Sequence, residues 1–289
     1  MSVESDPPAS PDQTPDRAPG PQPGAVAWQR ALVTGASSGI GRAFARLLAE
    51  RGTDLVITAR DRGRLEALAA ELGEGSADAG GSGRGVDVEI VVADLADRQH
   101  LDVLVDRLGA EQSPVDLLVN NAGFGFSGDF ISLDRDDETA VVDVNIVALH
   151  RLAHAAGTAM SARGRGGILN VSSIAGWGPA PRAATYAATK AFVTSFSEAL
   201  HVELGPQGVA VSCLCPGLTR TEFQDRAGSD TSRTPDFLWQ SAEAVADAGL
   251  AGLDRGRAVV VPGAHNKILS AGIGLAPITL IDRVRRRFR

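Results

Sequence analysis

Seven short β-rich segments, spaced by helix-patterned stretches, constrain the fold of this chain more than any other feature. Ala31–Thr34, Asp54–Ala59, Val88–Ala93, Val115–Val119, Gly167–Val171, Val209–Leu214 and Ala258–Val261 read as strands. Between them Ile40–Glu50, Arg64–Leu72, Arg98–Leu108, Val141–Met160, Thr185–Leu204 and Ala242–Leu253 read as helices. Strands separated by helices imply crossover connections, and these close into a parallel sheet covered on both faces. The expected class is therefore α/β, a Rossmann-type doubly wound parallel sheet of about seven strands with helices on both faces. Residues 73–87, rich in glycine, read as a flexible surface insert between the second helix and the third strand.

Residues 1–27 form an expected Pro-rich tail, with seven prolines among Ser, Asp, Gln and Gly and too little apolar surface to order itself. No secretory leader is read there, and docking of a proline motif is the sharper alternative to a solvated tail. Residues 28–266 are expected to form one domain, and residues 267–289 a basic, amphipathic end, apolar through Leu280 and then rich in arginine. That end is too short and interrupted for a membrane span. It is compatible with peripheral contact with an anionic bilayer, with closure over the pocket, or with a subunit interface. A net charge of -7 and no basic stripe argue against a nucleic-acid partner. Cys213 and Cys215 lie two apart on the sixth predicted strand, and alternation is read as pointing them to opposite faces, without a disulfide. They suggest a reduced, cytoplasmic protein, and a CxC metal site lacks the His/Cys cluster it needs.

Two motifs carry chemistry directly. Thr34-Gly-Ala-Ser-Ser-Gly-Ile-Gly41 lies between the first strand and the first helix, where glycines allow a tight turn and free N–H groups face a pyrophosphate. Tyr186 and Lys190, four apart on a helix, share one face. A lysine cation beside a phenol is expected to lower the tyrosine pKa and fit it for general acid or base work at neutral pH. At the end of the second strand Ala59 stands where an acidic residue would meet a ribose 2′-hydroxyl, and Arg60 follows. A guanidinium suits a 2′-phosphate, so NADP(H) is favoured over NAD(H), with Ser37 adding a hydroxyl.

With Asn120-Asn-Ala-Gly123 after the fourth strand, the chain resembles the short-chain dehydrogenase/reductase family over roughly residues 28–265, its motifs in sequence order. The resemblance implies that Tyr186 exchanges the proton between a ketone and a secondary alcohol, and that Lys190 holds the nicotinamide ribose. It selects Ser173 over Ser172 as the catalytic serine and assigns Asn145 to a proton relay behind the lysine. It places the cofactor against Gly35, Ser37, Ser38, Gly39, Ile40 and Gly41, against Asp94 and Leu95, against Asn121, Ala122 and Gly123, and beside Pro216, Gly217 and Thr219 or Thr221. No metal is expected, and the five histidines show no ligand spacing. Phe124, Phe126, Ile174, Trp177, Phe223 and Phe237 are candidates for a hydrophobic or acyl substrate site. Relatives of this kind self-associate, so a homo-oligomer is expected. The rival readings are a dinucleotide-binding scaffold or redox sensor without turnover, and an epimerase or dehydratase of nucleotide sugars, for whose larger C-terminal domain the chain offers little room.

Overall fold

A computed structural model describes residues 28–78, 85–232 and 234–275 of the 289-residue chain. The strands are β1 (Arg30–Thr34), β2 (Asp54–Ala59), β3 (Val88–Val92), β4 (Leu117–Asn120), β5 (Gly166–Val171), β6 (Val209–Leu214) and β7 (Val259–Val260). They form one parallel sheet in the order β3-β2-β1-β4-β5-β6-β7. The helices are α1 (Gly39–Glu50), α2 (Arg62–Asp78), α3 (Arg98–Gly109), α4 (Arg135–Val142), α5 (Leu149–Arg163), α6 (Ala184–Leu204), α7 (Phe223–Arg226), α8 (Ala242–Asp254) and α9 (Ala264–Leu275). A π-turn over Asp143–Ala148 joins α4 to α5.

Alternation along each strand divides the apolar residues between two cores. Val33, Leu55, Ile57, Val119 and Leu169 pack against Phe44 and Leu48 of α1, Leu65 and Leu68 of α2, and Val245 and Leu250 of α8. Their strand neighbours Leu32, Val56, Leu118 and Ile168 face Leu101 and Leu104 of α3 and Leu152 and Met160 of α5. Strand order reverses between β1 and β4, whose C-terminal ends therefore open a crevice of the kind in which doubly wound sheets bind ligands.

The strands fall within two residues of where they are expected, and four details differ. Helix α2 runs on to Asp78 through the glycine-rich stretch read as an insert, of which residues 79–84 lie outside the described residues. The long helix read over Val141–Met160 begins earlier and is broken by the π-turn. Cys213 and Cys215 point to the same face, because strand residues two apart share a face. Their sulfurs lie 3.7 Å apart, unbonded, in a small core with Leu149 and Val193. The boundary drawn at 266/267 falls inside α9, where Asn266 and Ser270 are buried. Residues 1–27 and 276–289, including the arginines of the C-terminal end, lie outside the described residues. No described helix is long and apolar enough to cross a membrane.

Candidate active site

Helix starts show where a negatively charged group would be welcome. Asp97 caps α3 by accepting from Gln99 and His100 N–H, and Asp134 and Ser241 cap α4 and α8 in the same way. Ser38, at the start of α1, makes no such bond, and the first turn of α1 holds no acidic residue. The leading N–H groups of α1 are thus left for an external acceptor at the positive end of the helix dipole. Gly35 turns the chain there at φ +67°, where a Cβ would lie 2.9 Å from the Asn121 amide nitrogen. These features fit a dinucleotide pyrophosphate.

Asn121 holds this turn in place. Its side chain donates to Thr34 O at 2.9 Å, while the Asn121 and Ala122 N–H groups donate to Thr34 Oγ1 at 3.0 and 2.9 Å. Asp94 is half-buried, and its carboxylate accepts from Ala96 N–H at 3.0 Å, with half-buried Leu95 beside it. Ile40 packs on the first core. Gly41 leaves no room for a Cβ, which would meet Gly35 O at 2.2 Å. Arg60 is exposed and forms no ion pair among the described residues.

The chemical group is assembled from the end of β5, from α6 and from the π-turn. Ser173 caps the short 3-10 turn Ile174–Trp177, its hydroxyl accepting from Ala175 N–H at 3.1 Å, and faces the Tyr186 phenol. Lys190 Nζ lies 5.7 Å from the Tyr186 ring centre and donates to Val171 O at 2.9 Å. The Ser172 hydroxyl donates to Lys190 O at 2.7 Å, within the packing of β5 on α6. Asn145 sits in the π-turn, fully buried. Its amide donates to Phe124 O at 2.9 Å and to Thr189 Oγ1 at 3.0 Å, and accepts from Phe124 N–H at 3.1 Å. It thereby ties the loop after β4 to α6. Built on Gly123, a Cβ would lie 3.0 Å from Asn145 Oδ1 and 3.2 Å from Lys190 Nζ, so this loop closes directly on both.

The electrostatics correct one expectation. Burial pushes the Tyr186 phenol up to about 12, against a smaller downward pull from the Ser173 hydroxyl. Burial pushes Lys190 itself down to about 8, opposed by the Cys213 and Cys215 thiols. The sequence places the pair on one face but does not show that desolvation outweighs their attraction at this separation.

Pro216 is buried, and its carbonyl accepts from Ile174 N–H at 3.0 Å. Gly217 packs on buried Asn266 of α9, where a Cβ would come within 2.2 Å of the amide oxygen. Thr219 is buried, and its hydroxyl donates to Gly217 O at 3.1 Å. Thr221 lies over Gly39, 2.9 Å from where a Cβ would stand. Of the candidate substrate residues, Phe223 stands 5.3 Å from the Tyr186 ring, and Phe124 and Phe126 meet edge to face at 5.7 Å. Ile174 and Trp177 pack on the cysteine core, whereas Phe237 is 73% exposed.

The family model described as short chain dehydrogenase matches residues 29–232. The chain belongs to the short-chain dehydrogenase family. A short-chain dehydrogenase from Sphingobium yanoikuyae in complex with NADPH is 36% identical, with a TM-score of 0.75 over 90% of this chain and 94% of that one. The bulky-bulky ketone specific alcohol dehydrogenase from Comamonas testosteroni is 34% identical, with a TM-score of 0.72 over 86% and 94%. Sulfoacetaldehyde reductase of Chromohalobacter salexigens is 38% identical over 216 residues, 74% of this chain and 81% of that one. This short-chain dehydrogenase is accordingly an oxidoreductase with a Rossmann-type fold.

Sequence reading missed Gly125, Asn266, Arg42 and Glu222. Gly125 alone had a local signal, as a second glycine beside Gly123. A Cβ there would stand 2.7–2.9 Å from three Tyr186 side-chain atoms. Gly125→Ala is expected to tilt the phenol and lower kcat about tenfold while moving Tm by less than about 4 °C. Steady-state kinetics and thermal unfolding of the variant check this.

Proposed function

We propose that this enzyme is an NADP(H)-preferring reductase of bulky hydrophobic ketones, with Tyr186 as the proton donor. The observation that carries the reading is geometric: the Tyr186 phenol shares one face of α6 with Lys190, whose Nζ lies 5.7 Å from its ring centre, is faced by the Ser173 hydroxyl and is bordered by Phe223. Ser173 binds the carbonyl oxygen and steadies the charge that develops on it. Tyr186 donates its proton to that oxygen. Lys190 supplies the positive charge beside the phenol and a donor to the nicotinamide ribose. Asn145 is a positioning residue, fixing the loop after β4 against α6. When bound, the nicotinamide cofactor supplies the hydride.

The first turn of α1, from Gly39 to Gly41, holds the pyrophosphate beside Gly35, Ser37 and Ser38. Asp94 and Leu95 border the adenine, and Asn121, Ala122 and Gly123 the adenosine side. Pro216, Gly217 and Thr219 stand beside the nicotinamide, and Arg60 reads the 2′-phosphate. The rings of Phe124, Phe126 and Phe223 favour apolar bulk over a small anionic aldehyde. A homo-oligomer belongs to the same reading, and sedimentation velocity checks it.

The test is NADPH and NADH consumption across ketones of rising bulk. Turnover is expected to favour NADPH and to rise from acetone to aryl and long-chain ketones. NADPH binding with no turnover on any member would favour the scaffold reading instead. In the reducing direction kcat/KM is expected to be flat through neutral pH and to fall above about pH 8, as Lys190 loses its proton. A profile that stays flat to pH 10 would remove Lys190 from the reaction.

A further inference from the structure

A cavity of about 210 Å³ lies beside the glycine turn, lined by Ser37, Ser38, Arg42, Arg64 and Glu222 among others. Two of its walls are joined by one ion pair. Arg64, in the first turn of α2, donates to both carboxylate oxygens of Glu222 at 3.0 and 2.9 Å. Glu222 follows Thr221, the residue that lies over Gly39. The pair therefore ties the segment after β6 to α2 across the edge of the dinucleotide crevice.

We propose that Arg64 exchanges Glu222, which it holds in the free chain, for the 2′-phosphate of NADP(H) once the cofactor enters. This rests on the reading that the crevice takes a 2′-phosphorylated dinucleotide near Arg60 and Ser37.

The cavity is bordered by Ser37, and Arg64 stands four residues beyond Arg60. Both partners of the ion pair are nearly half exposed, 45% and 48%, so water screens the attraction and exchange is easy. Glu222 is not stranded when Arg64 leaves, because Arg226 one turn on also holds its carboxylate. Arg64 keeps a contact with Asp61, whose carboxylate accepts from the Arg64 backbone N–H at 3.0 Å and lies 3.5 Å from its guanidinium. That leaves the twin N–H edge to turn to the phosphate, a more highly charged bidentate acceptor than a carboxylate. Arg42 is the other guanidinium of the cavity, and Glu71 holds it at 2.6 Å while also binding Arg46. Arg64 is thus the cavity arginine whose partner sits on the segment covering the crevice.

Calorimetric titration of the full chain with NADP⁺, NAD⁺, adenosine 2′,5′-bisphosphate and AMP tests the exchange. Arg64→Gln is expected to weaken NADP⁺ and the bisphosphate about tenfold and to leave NAD⁺ and AMP within about twofold. Glu222→Gln, which frees Arg64, is expected to tighten NADP⁺ about threefold without altering NAD⁺. In the double variant the Glu222→Gln gain should vanish. Equal loss of NADP⁺ and NAD⁺ in Arg64→Gln would overturn the proposal, since the pair would then be a plain clamp. A Glu222→Gln gain that survives without Arg64 would also overturn it, showing direct repulsion of phosphate by Glu222. If the parent chain binds NADP⁺ no tighter than NAD⁺ and Arg60→Asp changes nothing, the underlying cofactor reading fails. If Arg60→Asp lowers the preference while Arg64→Gln does not, that reading stands and the exchange alone is lost.

Discussion

Tyr186→Phe is expected to lower kcat about a thousandfold while leaving NADPH affinity within about twofold. The change removes one oxygen and little else. The ring keeps its place 5.3 Å from Phe223 and 5.7 Å from Lys190 Nζ. What goes is the proton that the buried phenol holds at neutral pH, together with its contact to Ser173. Ser173→Ala should act on the same step through charge stabilisation, with a loss of about a hundredfold. Because both residues serve one proton transfer, the double variant should be little worse than Tyr186→Phe alone. Stopped-flow reduction of one good ketone and equilibrium NADPH binding separate the two quantities. A Tyr186→Phe enzyme that keeps a tenth of its turnover would assign the proton to another group.

How far the sequence leads depends on the range of the interactions involved. Strand positions are legible because alternation and apolar runs are local signals, and β2 and β6 fall on the residues read for them. The glycine turn and the Tyr186/Lys190 face are legible for the same reason. The extension of α2 across Gly73 and Gly75 is not, since each helical glycine opposes a helix by about 1 kcal/mol relative to alanine. The π-turn at Asn145 leaves the surrounding pattern helical and is invisible to periodicity. Arg64 and Glu222 stand 158 residues apart, and Gly217 meets Asn266 from another element, so neither contact has a local trace. The pKa expectation failed on burial, a property of the packed chain. A four-residue spacing places two side chains on one face but does not set the dielectric around them.

That burial makes Lys190 a test of function against stability. Its pKa falls from 10.5 to about 8, which corresponds to about 3 kcal/mol of unfavourable burial of the cation. Below pH 8 both the folded and unfolded chains hold the proton, and the folded state bears the whole cost. Between about pH 8 and 10.5 the folded chain releases the proton while the unfolded chain keeps it. Stability carried by this group therefore rises with pH across that window. Lys190→Met retains most of the stem's packing and removes the charge, at the loss of one donor to Val171 O, worth about 1 kcal/mol. The variant is expected to be at least as stable as the parent at pH 7, to lose the parent's gain in stability between pH 8 and 10, and to lose at least about a hundredfold in kcat/KM. Urea unfolding at pH 7 and pH 10, paired with ketone reduction at pH 7, reads all three. A Lys190→Met chain destabilised by more than about 2 kcal/mol at pH 7 would mean that the ammonium holds β5 to α6 for the sake of the fold. A stable, inactive variant would mean that folding tolerates the buried cation because the chemistry at Tyr186 requires it.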